Sequence, residues 1–193
     1  MIPLKDDVPA DRLPLVTYLL IAINVIAYVY SLRHGGSVFG GPSSSVETRY
    51  GAIPYEFVHP GRHCDLAAVG VACQGQAGVS GSPPAQPATW LTALTSMFLH
   101  ASLLHLAGNM LFLFIFGDNV EDAMGRGRFL AFYLLGGLVA LGLQIVVDPS
   151  STVPTIGASG AIAAVLGGYI LLYPRARVLT VVLIIFFFTV IEL

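Results

Sequence analysis

The sequence predicts an all-α, polytopic bundle of transmembrane helices, and three observations carry that prediction. Of its 193 residues 55% are hydrophobic and 10% charged, where a soluble domain carries about 25% charged residues. Five stretches are apolar over all or most of the roughly 20 residues that a helix needs to cross a bilayer. Among the few polar side chains in or beside those stretches are two short clusters, one around His105 and one around Ser159. A net charge of -2, with no Lys/Arg block and no phosphate-cradling glycine loop, excludes nucleic acid as a partner.

Residues 1–13 read as a cytoplasmic segment of mixed charge (Lys5, Asp6, Asp7, Asp11, Arg12), and 14–32 as the first span, with Asn24 its only strongly polar residue. A secretory signal peptide is the alternative, but Ser31-Leu32-Arg33-His34 offers no small-residue cleavage site. Residues 33–90 form a long loop. Its clusters Gly40-Gly41-Pro42-Ser43 and Ser80-Gly81-Ser82-Pro83-Pro84 predict irregular backbone. The remaining spans run near Leu103–Phe116, Phe129–Val147, Ile156–Tyr173 and from Val178 to Leu193, where the sequence stops inside the fifth. Lys5, Arg12, Arg126, Arg128, Arg175 and Arg177 all fall on one side of this arrangement. Positive residues in short loops are retained in the cytoplasm, so the amino terminus is expected there.

That topology puts Cys64 and Cys73 outside the cytoplasm, where disulfides persist. A bridge between them is the favoured reading. A metal site with His59 and His63 is the sharper alternative, although the spacing fits no standard zinc pattern, and free thiols are the third.

Polar groups inside a membrane bundle are costly and mark function. His105 and Asn109 lie four residues apart, hence on one helix face. His100 is about 140° from His105 on a helical wheel, which puts it at or before the helix start. Tying two helices together by hydrogen bonds is the plainer role for each. Ser159 lies in Gly157-Ala158-Ser159-Gly160 at the start of the fourth span, where a capping role is the plainer reading. The sharper reading is an acyl-transfer site. Glycines on both sides permit close approach of a carbonyl, and free amides at a helix start, with His105 and Asn109, can hold an oxyanion. Gly160, Ala164 and Gly168 form a smooth face that calls for a partner helix, and Gly136, Gly137 and Ala140 suggest another close contact.

In this order the motifs resemble the rhomboid intramembrane serine proteases, from Trp90 to about Val182. Phe98-Leu99-His100 with His105 and Asn109-Met110 is similar to the family's second-helix signature; Gly117, Glu121 and Gly125 match its G-x-x-x-E-x-x-x-G stretch; Gly157-Ala158-Ser159-Gly160 matches its nucleophile turn. Tyr50-Gly51-Ala52-Ile53-Pro54 looks like the first loop of bacterial members, whereas Trp90 is followed by Leu91 where the family often has Arg.

The resemblance implies a bacterial plasma-membrane peptidase that cleaves transmembrane protein substrates with a Ser-His dyad and uses neither metal nor organic cofactor. Ser159 would be the nucleophile, His105 and Asn109 the oxyanion donors, and His100, Glu121 and Gly160 structural. The family draws its base from a His in a sixth span, which lies beyond Leu193. The 193 residues alone are therefore expected to be inactive, and the face at Gly160, Ala164 and Gly168 to lack the helix that such a segment supplies. A non-catalytic relative that binds transmembrane helices is the alternative. A channel or transporter fits less well, because there is no internal duplication and no acidic residue mid-span in the first four helices.

Overall fold

The computed structural model describes residues 2–68, 70–77, 79, 86–184 and 187–192. Among the described residues three helices are long and apolar enough to cross a membrane: α1 (Leu15–Arg33), α5 (Leu103–Met124) and α6 (Arg126–Val147). A fourth, α7 (Ser159–Leu172), has only 14 residues. At 1.5 Å per residue it is about 21 Å long, short of a roughly 30 Å hydrocarbon core. At least one of its ends therefore lies inside the thickness that α5 and α6 are long enough to cross. Outward side chains such as Leu104, Val139, Val147 and Leu171 are more than 60% exposed, as helices that are apolar all round require when lipid is the solvent.

Each helix end has a local cause. The Ser102 hydroxyl accepts the His105 backbone N–H at 3.1 Å and caps α5. Gly125, at φ 78°, turns the chain from α5 into α6. The start of α1 has no side-chain cap of its own. Instead the Glu121 carboxylate on α5 accepts the Val16 N–H at 3.0 Å, the Thr17 N–H at 2.7 Å and the Thr17 hydroxyl at 2.9 Å. Gly117, one turn back, leaves room for the Thr17 side chain, which a Cβ there would meet at 3.2 Å. The Gly117, Glu121, Gly125 pattern is thus the seam between α1 and α5 together with the turn that follows it.

The core lies where α5 meets its neighbours. Leu113, Phe116 and Val120 pack with Phe129 and Tyr133 of α6, with Ile162 and Val165 of α7 and with Leu20 of α1. The two small-residue faces meet each other. A Cβ on Gly160 would come within 2.5 Å of Ala140 Cβ, one on Gly136 within 2.4 Å of Ala164 Cβ, and one on Gly168 within 3.2 Å of Phe132. The expectation that the α7 face lacks a partner is therefore corrected, because α6 covers it.

The fifth span is also corrected. In place of a helix, Val178–Ile184 (β4) and Phe187–Glu192 (β5) form an antiparallel hairpin, and β4 pairs with Ile2–Asp6 (β1). The run is rich in Val, Ile, Thr and Phe, residues that suit a strand, and a short apolar run has no period to tell helix from strand. The Asp6 carboxylate at the end of β1 accepts from Asn119 Nδ2 at 2.7 Å and from the Tyr169 hydroxyl at 2.6 Å, which ties the amino-terminal strand to α5 and α7.

The long loop holds more structure than its composition suggests: α2 (Ser44–Tyr50), α3 (Pro54–Val58), the hairpin β2 (Cys64–Leu66) and β3 (Val71–Cys73), and α4 (Thr89–Thr95) followed by a 3-10 turn at Ser96–Phe98. The cluster 80–84 lies outside the described residues apart from its place in the sequence. Cys64 and Cys73 are register partners in the hairpin and are bonded. The buried Glu56 carboxylate accepts the Cys64 N–H at 2.7 Å, and the His63 ring stands 3.9 Å away. Burial raises the Glu56 pKa above its ordinary 4.5, against the opposing pull of that N–H and of His63.

Candidate active site

The outer loop and the turn before α7 are fastened together. Ala52 and Thr155 exchange backbone hydrogen bonds at 3.1 and 2.8 Å, and the Tyr55 N–H reaches Ser151 O at 3.0 Å. Gly51 lets this segment close on the turn, since a Cβ there would stand 2.8 Å from Pro154. Two residues beyond Thr155, the Gly157 N–H donates to Ser96 O at 2.9 Å. Gly157 itself has φ 126°, which only glycine adopts without strain. The turn is therefore gripped from both sides before α7 begins at Ser159.

Ser159 does not cap that helix. Its N-cap position is Ala158, with no side-chain capping bond, and the Ser159 hydroxyl has no hydrogen-bond partner among the described residues. The side chain is exposed and borders a 210 Å³ cleft between α6 and α7, lined also by Ser96, Leu141, Gln144 and Thr155.

The His105 imidazole comes to the same point from α5. A Cβ placed on Gly157 would stand 3.2 Å from His105 Nε2 and 3.7 Å from Ser159 Oγ. Asn109 follows one turn along α5, and its Nδ2 is buried with no acceptor. His100 lies in the turn before α5, fully buried, with its ring edge-on to His105 at 5.1 Å between centroids and neither ring nitrogen bonded. Burial, and then the neighbouring His105, hold its pKa down at about 4 against an ordinary 6.5, so the ring is neutral at pH 7.

Glu121 is not part of this cluster. It lies sixteen residues beyond His105 on α5, about 24 Å away along the axis. The Cys64–Cys73 hairpin does not border the Ser159 cleft, and the loop that carries it meets the turn before α7 through the Ala52–Thr155 pair and the Tyr55–Ser151 bond. Among the described residues no three His, Cys, Asp or Glu side chains converge to hold a metal ion. The Ser96 carbonyl, the Thr155 pairing and Gln144 were not found from sequence. Backbone acceptors carry no residue signature, and a single Gln in an apolar run has no spacing to place it.

An unbonded serine hydroxyl and an imidazole at the start of α7, and the unpaired Asn109 amide one turn along α5 from that imidazole, are groups of the kinds that acyl transfer with oxyanion stabilisation uses. Comparison with known proteins bears on the family. The Rhomboid domain family matches residues 87–193. The chain is 42% identical over 78 residues to "Rhomboid protease GluP" of Bacillus subtilis, covering 40% of this chain and 15% of that protein. It is 34% identical over 110 residues to the human "Presenilin-associated rhomboid-like protein, mitochondrial" (56% of this chain, 29% of the relative). With "Rhomboid protein 1, mitochondrial" of Saccharomyces cerevisiae it shares 32% over 93 residues (46% and 27%). The chain thus spans less than a third of these relatives. Two of them are mitochondrial by name, so the likeness supports an integral membrane protein without assigning the bacterial plasma membrane. No solved structure matches.

Proposed function

Because this chain belongs to the rhomboid family, we propose that it carries the nucleophile and oxyanion half of an intramembrane serine endopeptidase acting on transmembrane segments of membrane proteins. One observation carries the reading: Ser159 Oγ and His105 Nε2 flank the side-chain-free face of Gly157, at 3.7 and 3.2 Å from one point. Ser159 Oγ attacks a peptide carbonyl carbon and its proton passes to a base. The carbonyl oxygen, now negative, is received by the Ser159 N–H, His105 and Asn109 Nδ2. The amine leaves with a proton, and water then resolves the acyl-enzyme.

The base is the sixth-span histidine that the family supplies and these 193 residues do not include. Lys5, Arg12, Arg126 and Arg177 gather at one end of the bundle, with Arg12 beside Asp122 at 3.7 Å and the Arg177 N–H on Asp7 at 2.8 Å. By the positive-inside rule that end, with the amino terminus, is cytoplasmic.

The test expresses the protein from its complete gene with a membrane-anchored reporter. Ser159→Ala is expected to lower cleavage by about 10³ or more while the protein still inserts. Undiminished cleavage would remove Ser159 from its role. A wild-type protein that binds transmembrane helices without cutting them would favour the non-catalytic alternative.

A further inference from the structure

Apart from the cleft at Ser159, with no lining residue in common with it, α1 does not close fully on the long loop. A groove of about 370 Å³ remains, lined by Ile23, Ile26, Ala27 and Tyr30 of α1 and by Tyr50 and Phe98 across from them. Its walls are almost wholly apolar. Thr95, which also borders it, turns its hydroxyl to the Tyr50 carbonyl at 2.7 Å.

Position and charge together identify an occupant. Along α1 at 1.5 Å per residue, Ile23 lies about 15 Å from Arg33, half of a roughly 30 Å hydrocarbon core. The groove therefore runs the depth of one leaflet, the one at the carboxyl end of α1. At its mouth the Tyr30 and Tyr50 rings stand edge to face at 6.4 Å. The Arg49 guanidinium sits over Tyr50 at 5.6 Å, and Arg33 follows Tyr30 by three residues, on the same helix face. Both arginines are exposed, and no carboxylate holds either in an ion pair among the described residues. Glu47, the nearest acid in sequence, is two residues before Arg49, some 200° around the α2 turn. An apolar slot one leaflet deep, with aromatic rings and unpaired guanidinium groups at headgroup level, matches an acyl chain beneath an anionic phosphate.

We propose that this groove binds one anionic phospholipid, with an acyl tail along Ile23, Ala27 and Phe98 and its phosphate at Arg49 and Arg33. The site is separate from Ser159, and its test does not depend on peptidase activity.

The protein is extracted in a nonionic detergent, and native mass spectrometry follows retention of added phosphatidylglycerol and phosphatidylcholine with matched acyl chains. One phosphatidylglycerol is expected to remain bound in preference to phosphatidylcholine. Arg49→Gln with Arg33→Gln should weaken that retention about tenfold and remove the preference. Ala27→Trp fills the slot and should abolish retention of both lipids with helix content unchanged by circular dichroism. If Ala27→Trp fails to insert, Ile23→Trp probes the same wall. Equal retention in wild type and in the filled variants would overturn the proposal. So would a dimer mass that is lost in the filled variants, which would give the groove to a second copy of the chain.

Discussion

A methyl group on Gly157 would stand 2.9 Å from His105 Cε1 while forcing φ 126° on an L residue. Gly157→Ala is therefore expected to cost about 1–3 kcal/mol, read as a lower melting temperature in detergent. It should also suppress cleavage by the complete protein more than the stability loss explains, because the imidazole must move. Ser159→Ala provides the contrast. With no partner on Oγ, it should leave stability within about 0.5 kcal/mol of wild type. Glu56 gives a pH signature. Its folded pKa is raised by burial above 4.5, so between 4.5 and that raised value the folded state holds more proton than the unfolded one. The stability from this carboxyl is fully present below 4.5 and lost as pH rises through the folded pKa. Against Glu56→Gln, whose amide oxygen can still accept the Cys64 N–H, wild type should lose ground as pH climbs. A wild type that gains ground instead would mean that the Cys64 N–H and His63 outweigh burial.

The α6–α7 seam shows what periodicity can and cannot disclose about elements. Both small-residue stripes were visible in sequence, because spacing by four fixes a helix face. Nothing in the spacing says which face meets which, so the partner of Gly160, Ala164 and Gly168 was sought in a later helix rather than in Gly136 and Ala140. The close approach of Gly136 and Ala164 makes a reciprocal exchange informative. Gly136→Ala sets two methyl carbons 2.4 Å apart and should destabilise by about 1–3 kcal/mol. Adding Ala164→Gly should restore most of that loss in a double-mutant cycle. Additive losses would mean the helices part rather than interlock. The Gly157–Gly160 turn and the His105–Asn109 face were legible because a serine between glycines at a helix start and polar residues inside an apolar span are rare enough to be diagnostic. The hairpin β4–β5 was not, since Val178 to Leu193 offers β-branched residues and no polar period by which to choose.

At the scale of the whole molecule, the outer loop is a clamp on the turn that presents Ser159, and its stiffness comes from the Cys64–Cys73 bond. The path is continuous. The bond closes β2 on β3, Glu56 ties that hairpin to α3 through the Cys64 N–H at 2.7 Å, and Tyr55 and Ala52 at the start of α3 hold Ser151 and Thr155. A cross-link closing so short a loop contributes about 2–3 kcal/mol by restricting the unfolded loop. That amount exceeds the net value of any one of the three backbone bonds in the clamp, about 1 kcal/mol each. Cys64→Ser with Cys73→Ser should therefore leave the bundle folded but loosen its outer face. Hydrogen exchange at the Thr155 and Ala52 amides should quicken by about tenfold or more, while amides in the middle of α5 keep their protection. Gly157, whose N–H goes to Ser96 rather than to the segment Ala52–Tyr55, should respond less than Thr155, and that gradient separates a local clamp from general softening. If all outer amides quicken alike, the bond stabilises the fold as a whole; if none changes, the packing of α3 on α6 holds the turn without help from the hairpin.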